Sequence, residues 1–162
     1  MRIFYITTEY VDIDTLLPFD GGLASYLCKI TTSLSKLGND VNVIVACSKR
    51  LKRVSYCGVT VLFYPSSKTF FQRICWPFYN KEKRRYIKLE NVFRSIQKAL
   101  KSENLKTPID IIQYASYLGL GKYPEKDIPS CVRISSYAKL WQKYYNYTNQ
   151  VEIDNEVQQF KN

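Results

Sequence analysis

The residues with the clearest chemical potential are two adjacent glycines, Gly21 and Gly22, which follow Asp20. From Leu23 onward, apolar residues recur at steps of four and three, which is the spacing of one helix face. The first amides of a helix lack internal partners and carry partial positive charge, and glycine lets a phosphate approach them closely. The pattern therefore predicts either a phosphate-binding helix entry or a plain turn with Asp20 or a glycine at the cap.

The elements around this pair predict a strand, a glycine loop, a helix and a second strand. An apolar run at 3–6 comes before the loop, the helix ends at Gly38-Asn39-Asp40, and a second run follows at 41–46. Residues 48–53 are interpreted as a basic loop, and residues 66–80 show no clean period. The remaining predictions are strands at 57–65, 109–114 and 131–135, a long helix from about residue 81, and a terminal helix from about residue 151.

Five short apolar strands separated by helices indicate an α/β fold, a Rossmann-like doubly wound parallel sheet flanked by helices. Ligands of such sheets bind outside the carboxyl ends of the strands. The topology therefore brings the glycine loop close to polar residues that follow the fourth and fifth predicted strands. The cleft candidates are Asp20, Ser25, Ser116, Ser135 and Ser136.

Composition narrows the class of protein. The 24 lysines and arginines against 14 acidic residues give a formal charge of +10, which favours nucleic acid, acidic lipid or a phosphorylated substrate as partner. The 162 residues correspond to one domain, no apolar run is long enough to span a bilayer, and the amino terminus does not resemble a signal peptide. Five scattered cysteines and no histidine predict reduced thiols in the cytoplasm and no metal site.

The same residues exclude several common sites. A dinucleotide site needs G-x-G-x-x-G directly after the first strand and an acid after the second, whereas Cys47-Ser48-Lys49 follows this second strand. The run Gly119–Lys122 is not a phosphate loop, because Ser116 stands where the first glycine belongs and Tyr123 replaces the magnesium-binding Ser or Thr. A histidine-based triad is impossible without histidine.

A stretch rich in aromatic and basic residues, 68–88, permits two interpretations. The aromatic side chains pack on the sheet beside a solvated basic helix face, or they form an interfacial membrane patch in which basic residues bind anionic lipid. A nucleic-acid-binding module is a weaker alternative, because the basic residues are spread over two loops and a helix without a known motif. The membrane-patch candidates are Phe70, Phe71, Trp76, Arg84 and Arg85.

The order and spacing of several segments resemble the amino-terminal domain of family 4 retaining glycosyltransferases. The resemblance covers residues 1 to about 136. Its segments are 1–10, Gly21-Gly22-Leu23-Ala24-Ser25-Tyr26, 34–44, 58–61, 108–113 and 128–135.

This resemblance implies a GT-B enzyme, with two Rossmann-like domains facing across a cleft. The amino-terminal domain binds the acceptor, a saccharide or a lipid-linked sugar, and its glycine loop, here Gly21 and Gly22, approaches the phosphates of a nucleotide-sugar co-substrate. No metal or other cofactor is expected. Residues 1–162 would be the acceptor-side half, shortened at the C-terminal end, without the donor-binding domain and inactive alone. The implied setting is polysaccharide biosynthesis in the cytoplasm, with peripheral attachment to the inner face of the membrane.

The chain departs from the family at the sugar site. The family has histidine at the end of strand five and often near the end of strand four, whereas this chain has Ser135-Ser136 and Gln113–Ser116. Serine can donate a hydrogen bond to a sugar hydroxyl but cannot take up charge near neutral pH. The catalytic residues therefore stay unassigned. The alternative is a non-catalytic remnant, or one partner of a split enzyme, that binds sugar or an anionic membrane.

Overall fold

The computed structural model describes residues 1–19, 21–46, 48–66, 68–134, 142–143 and 149–161. Within them, one sheet contains strands β1 Arg2–Thr7, β2 Asp40–Ala46, β3 Lys52–Tyr56, β4 Val59–Tyr64, β5 Ile111–Ala115 and β6 Ser130–Arg133. The α-helices are α1 Gly22–Lys36, α2 Phe70–Cys75, α3 Lys81–Lys106 and α4 Gln150–Gln158. Short 3₁₀ turns cover Trp76–Phe78 and Tyr117–Gly119.

The sheet has the strand order β3-β4-β2-β1-β5-β6. Every neighbouring pair is parallel except β3 with β4. The central strand β1 pairs with β2 through Ile3 and Val41 and with β5 through Ile3 and Ile111. Helices cover this mainly parallel sheet, so the predicted α/β Rossmann-like fold is confirmed.

The prediction of a basic loop at 48–53 is wrong, because its second half begins the antiparallel edge strand β3. Side chains in β3 alternate between half-buried and exposed, with Val54 and Tyr56 packed against the core. Cys57 and Gly58 have φ of 49° and 81°, as a two-residue hairpin turn requires. The exposed positions of β3 are Arg53 and Ser55. Charged and polar residues on an edge strand discourage pairing between sheets, and they are the reason that a search for apolar runs missed this strand.

The core has two halves because neighbouring residues of each strand point to opposite faces of the sheet. Phe4 and Ile6 of β1 belong to the cluster that contains Phe93 of α3. Ile3 and Tyr5 belong to the cluster that contains Leu27 of α1. The two helices thus cover opposite faces of the sheet. Among the described residues, no helix is long and apolar enough to cross a membrane.

The two long helices lie where the apolar periodicity predicts them. The side chain of Asn80 accepts a hydrogen bond from the backbone N–H of Lys83 at 2.8 Å and caps the start of α3. The helix ends at Lys106, and its C-cap residue Thr107 comes directly before Pro108. After α1, Gly38 adopts a φ of 84°, the left-handed conformation expected of a C-terminal glycine.

Gly119 and Gly121, which the sequence excluded as a phosphate loop, hold α4 against the end of β5. A Cβ on Gly119 would lie 2.6 Å from the backbone of Asn155. The side chain of Gln159 accepts a hydrogen bond from Gly121 N at 3.3 Å and donates one to the carbonyl of Ser116 at 2.9 Å. These glycines therefore allow close packing of a helix.

Candidate functional site

The strand order reverses direction at β1. From β1 the chain passes through α1 to β2 on one side, whereas β5 on the other side follows α3 on the opposite face. The loops after β1 and β5 therefore diverge and leave a crevice at the carboxyl ends of the strands, which is where open α/β sheets bind ligands. The glycine loop and the ends of β5 and β6 all lie at this edge of the sheet.

The long loop between β1 and α1 is held by specific contacts. Val11 and Pro18 form an antiparallel bridge, and the N–H of Phe19 donates to the carbonyl of Tyr10 at 3.2 Å. Tyr10 is completely buried, and its hydroxyl lies 2.7 Å from Oγ1 of Thr31 in α1. Burial raises the pKa of Tyr10. The loop is thereby attached to the helix that it precedes.

The carboxylate of Asp12 organises the tip of this loop. It accepts hydrogen bonds from the backbone N–H groups of Thr15 and Asp14 at 2.8 and 2.9 Å. These bonds, that of Thr15 first, lower the pKa of Asp12. Arg50 forms an ion pair with Asp14, and Lys52 Nζ donates to the carbonyl of Ile13 at 2.5 Å. The basic residues that follow β2 therefore clamp the β1–α1 loop.

At the start of α1, Gly21 and Gly22 face open space. A Cβ on Gly22 would have no atom within 4 Å, and one on Gly21 would lie 3.7 Å from Oε2 of Glu9. Neither residue has a φ in the left-handed region that favours glycine, and the backbone of Gly21 is extended, with a φ of 163°. No side chain caps the described helix, and its first turn holds no acidic residue. The turn itself therefore does not require glycine at these two positions.

The predicted cleft residues differ in their exposure and in whether the structure describes them. Ser25 is exposed on α1, close to the two glycines. Ser116 lies at the end of β5 as expected, but it is completely buried. The structure thus differs from the expectation of an exposed cleft residue, and Gln159, which directly follows α4, donates a hydrogen bond to the backbone carbonyl of Ser116. Asp20, Ser135 and Ser136 lie outside the described residues.

Arg133, at the end of β6, is a residue that sequence reasoning missed. Its guanidinium carbon lies 3.5 Å from the ring centre of Tyr26, which is about one turn beyond Gly22 on α1. Its Nη1 is buried and has no hydrogen-bond partner among the described residues. The sequence offered one signal, a cation at the end of a predicted strand. The arrangement places a positive charge on the side of the crevice that α1 forms.

A cavity of about 170 Å³ opens beside the glycine loop, at the carboxyl ends of β1, β2 and β4. The hydroxyl of Thr8 is buried there and has no hydrogen-bond partner within the described part of the chain. The volume is below the roughly 300 Å³ at which pockets for drug-sized ligands begin, so the cavity suits one small polar group. Its lining is Thr8, Val11, Asp12, Ile13, Phe19, Val45, Ala46, Ser48, Lys49 and Phe63.

The aromatic and basic residues of 68–88 lie away from the sheet. Phe70 and Phe71 are 73% and 77% exposed, so the interpretation that these aromatic side chains pack on the sheet is wrong for both. Trp76 is half-buried. The centre of its ring lies 3.3 Å from Lys68 Nζ and 5.7 Å from Arg84 Cζ. Arg85 donates from Nη1 to Asn149 at 3.0 Å.

No cluster of three or more cysteine, aspartate or glutamate side chains suited to a metal ion occurs in the described ranges. The crevice instead offers free helix amides, the Arg133 guanidinium and hydroxyl groups. These groups can bind an anion and neutral hydroxyls.

Comparison with known proteins gives a likeness in structure. No protein-family model matches the chain, and no curated protein matches it. A solved structure of sucrose-phosphate synthase from Thermosynechococcus elongatus superimposes on the whole chain with a TM-score of 0.66 at 10% sequence identity. The chain spans 41% of the length of that protein. The likeness shows the fold, an α/β Rossmann-like domain.

Proposed function

We propose that this chain is the acceptor-side domain of a glycosyltransferase that moves a sugar from a nucleotide-sugar donor to a saccharide or lipid-linked acceptor. The observation that carries the proposal is the pair Gly21 and Gly22, which open α1 at the strand-order reversal with no steric or dihedral need for glycine. Close approach of a ligand is the remaining physical reason for a residue without a Cβ. In this proposal that ligand is the diphosphate of the donor.

In this proposal, different groups around the crevice bind the donor diphosphate and the acceptor. Transfer of the sugar leaves negative charge on the departing diphosphate, and preorganised amides stabilise such charge without reorganisation. The first amides of α1 and the guanidinium of Arg133 supply positive potential on that side. The cavity beside Thr8 receives part of the acceptor. We assign no catalytic side chain, because much of such a reaction depends on holding both reactants in position.

A donor-side domain is the proposed partner. The structural match supports a transferase because its name, sucrose-phosphate synthase, describes an enzyme that joins sugars. The chain corresponds to less than half of that protein. We propose that a second domain, in the same or another polypeptide, supplies most of the donor contacts. In this proposal residues 1–162 alone do not catalyse sugar transfer. The proposed place of action is the cytoplasm, at the inner face of the membrane, in polysaccharide biosynthesis.

Nuclear magnetic resonance tests the donor side directly. The ¹⁵N-labelled chain is titrated with UDP, GDP and ADP, and with uridine as a control that has no phosphate. We expect at least one diphosphate to shift the amide signals of Gly21, Gly22 and Leu23, and uridine to shift none of them. Gly22→Val should abolish the response, whereas Gly38→Ala, at the other end of the same helix, should keep it.

Two results would overturn the donor-side proposal. One is the absence of amide shifts at the start of α1 with all three nucleotides. The other is a response of equal size in the wild-type chain and Gly22→Val, because the glycine would then have no role in binding.

A non-catalytic remnant, or a split-enzyme partner, is the second candidate. The observations that favour it are the lack of histidine in the whole chain and the complete burial of Ser116. A chain that binds oligosaccharides on a glycan array but responds to no nucleoside diphosphate would support the remnant. A nucleic-acid-binding role is less favoured, because Arg2, Arg50 and Lys122 are engaged in ion pairs with acidic side chains.

A further inference from the structure

Among the described residues, several large apolar side chains are exposed together in the aromatic segment, residues 68–79, which contains α2 and the following 3₁₀ turn. No residue of α2 is buried. Ile74 and Phe78 are 54% and 87% exposed, in addition to Phe70 and Phe71. Phe70 and Phe71 stand four and three residues before Ile74, so the three side chains share one helix face. Monomeric proteins rarely expose large apolar side chains grouped in this way.

Polar contacts hold this segment in place. Thr69 and Gln72 form a capping box at the start of α2. The side-chain amides of Gln72 and Asn91 in α3 exchange two hydrogen bonds, at 2.9 and 3.3 Å. Arg84 donates to the carbonyl of Pro77 at 3.2 Å. The backbone is thus fixed without burial of the apolar side chains, which remain available to a partner.

A basic pocket lies between the C-terminal end of the aromatic segment and the start of α3. It has a volume of about 520 Å³ and is lined by Trp76, Tyr79, Lys81, Arg84, Arg85 and Lys88. Four of these residues are cationic and none is acidic. The Nε of Arg84 is buried and lacks a hydrogen-bond partner in the described structure. The pocket therefore suits a phosphate group, with an aromatic ring forming one wall.

The charge around the segment indicates which partner fits. Residues 66–88 carry one acid, Glu82, against seven basic residues: Lys68, Arg73, Lys81, Lys83, Arg84, Arg85 and Lys88. A second copy of this chain would bring two such basic rims together, which is unfavourable. Nucleic acid would satisfy the charge but would not need Ile74 or a shared apolar helix face. An anionic bilayer satisfies both the charge and the apolar side chains.

We propose that the aromatic segment and the start of α3 form a docking surface for an anionic lipid bilayer. Phe70, Phe71, Ile74 and Phe78 enter the boundary between headgroups and acyl chains. The basic pocket beside Trp76 receives the phosphate of a lipid headgroup at that depth. A lipid-linked acceptor and a peripheral location are part of the proposed function, and the docking surface rests on them. Its test needs neither donor nor acceptor, so the two proposals can fail separately.

Vesicle flotation of the whole chain tests the docking surface. The vesicles are phosphatidylcholine alone, or phosphatidylcholine with about one-third phosphatidylglycerol to provide an anionic surface. We expect the protein to float with the anionic vesicles only, and to be released as salt rises because screening weakens the attraction. The double substitution Phe70→Ser with Phe71→Ser should lower the partition coefficient by about tenfold or more. Arg84→Gln with Lys88→Gln should lower it by a similar factor.

The chain offers matched controls at a distance from the segment. Leu37 and Leu105 are 77% and 89% exposed, so Leu37→Ser with Leu105→Ser removes similar apolar area elsewhere. Lys29→Gln with Lys101→Gln removes the same charge from exposed positions of α1 and α3. Both controls should bind within about twofold of the wild type, since neither lies on the proposed surface. All substituted residues except Arg84 are exposed, and circular dichroism verifies that each variant is folded.

Fluorescence reports the depth of insertion. The chain has two tryptophans, so Trp141→Phe leaves Trp76 as the single reporter. We expect the emission of Trp76 to shift to the blue on anionic vesicles and to be quenched by lipids with brominated acyl chains.

Several results would overturn the docking surface. They are failure to float with anionic vesicles, an equal loss of binding in the control variants, binding without quenching of Trp76, and a dimer in solution that Phe70→Ser with Phe71→Ser dissociates. Preferential binding of an oligonucleotide over the vesicles would equally contradict it.

Discussion

The guanidinium of Arg133 stacks on the ring of Tyr26, with 3.5 Å between the guanidinium carbon and the ring centre. This contact joins the end of β6 to α1 along one side of the crevice. A half-buried cation over an aromatic ring contributes about 0.5–2 kcal/mol. The pair therefore fixes the position of a positive charge in addition to supplying it.

We expect Tyr26→Leu to lower the free energy of unfolding by about 1 kcal/mol more than Tyr26→Phe, because phenylalanine keeps the π face and leucine does not. Urea denaturation measures both values. The stacking would have no energetic role if the two substitutions cost the same.

Gly119 should be intolerant of any side chain. Gly119→Ala would both occupy a left-handed conformation, with φ of 69°, and press against the backbone of Asn155 at 2.6 Å. We expect a loss of about 2–4 kcal/mol in the free energy of unfolding. The matched control is Gly38→Ala, which has a φ of 84° but no atom within 4 Å, and should cost about 1 kcal/mol. Equal costs in denaturant unfolding would show that α4 moves aside freely.

Glu103 should make stability depend on pH in the acid range. Its carboxylate, 6% exposed, lies 3.2 Å from Arg2, and 2.7 Å from both Arg53 and Lys106. Burial by itself would raise the pKa of Glu103, but the hydrogen bond of Lys106 and the charge of Arg53 outweigh it and lower the pKa from 4.5. The corresponding stability is present above pH 4.5 and is lost as pH falls through the folded-state value.

We therefore expect Glu103→Gln to lower the free energy of unfolding by about 2 kcal/mol at neutral pH. This value is below the roughly 3–5 kcal/mol for breaking a fully buried ion pair, because two of the partners are half exposed. Below pH 4.5 the difference in unfolding free energy between this variant and the wild type should become smaller. Glu82→Gln, at an exposed site of the same helix, is the control and should change the unfolding free energy by a few tenths of a kcal/mol. A constant difference down to acid pH, measured by urea unfolding, would contradict the predicted pKa.

The amide pair Gln72 and Asn91 should be energetically coupled. Each single substitution, Gln72→Leu or Asn91→Leu, leaves the other amide without its partner and should lower the free energy of unfolding. The double variant should therefore be less destabilised than the sum of the two single variants. We expect a coupling free energy of about 1 kcal/mol from the double-mutant cycle. Hydrogen exchange should show faster exchange for the amides of α2 in both single variants, and unchanged exchange in β1. Strictly additive losses would mean that the two amides do not support α2.

The limits of prediction from sequence are clearest at β3 and at the aromatic segment. Apolar runs and helical periodicity located β1, β2, β4, β5 and the two long helices, because burial on a sheet or under a helix face repeats with a local period. An edge strand needs only one apolar face and is protected by charge, so β3 was missed. The exposure of Phe70 and Phe71 could not be derived either, because the same residues would suit a buried position.

The candidate site was predicted only in part, for the same reason. The glycine loop follows from a local signal, and the doubly wound topology gave its position at the carboxyl ends of the strands. Arg133 and the cavity beside Thr8 depend on which distant residues the sheet brings together. Burial of Ser116 depends on how α4 packs against Gly119. These contacts span long sequence separations, and no periodic pattern encodes them.

The sequence by itself determined the α/β class, the position of the glycine helix entry, the excess of positive charge and the absence of histidine chemistry. These properties follow from residue identity and local spacing, which require no knowledge of long-range contacts. Tertiary structure decided which residues face the crevice, that Arg133 stacks on Tyr26, and that the aromatic segment faces solvent. The physical reason is that exposure and proximity depend on the packing of the whole chain, and the same side chain can occupy a core or a surface at similar local cost.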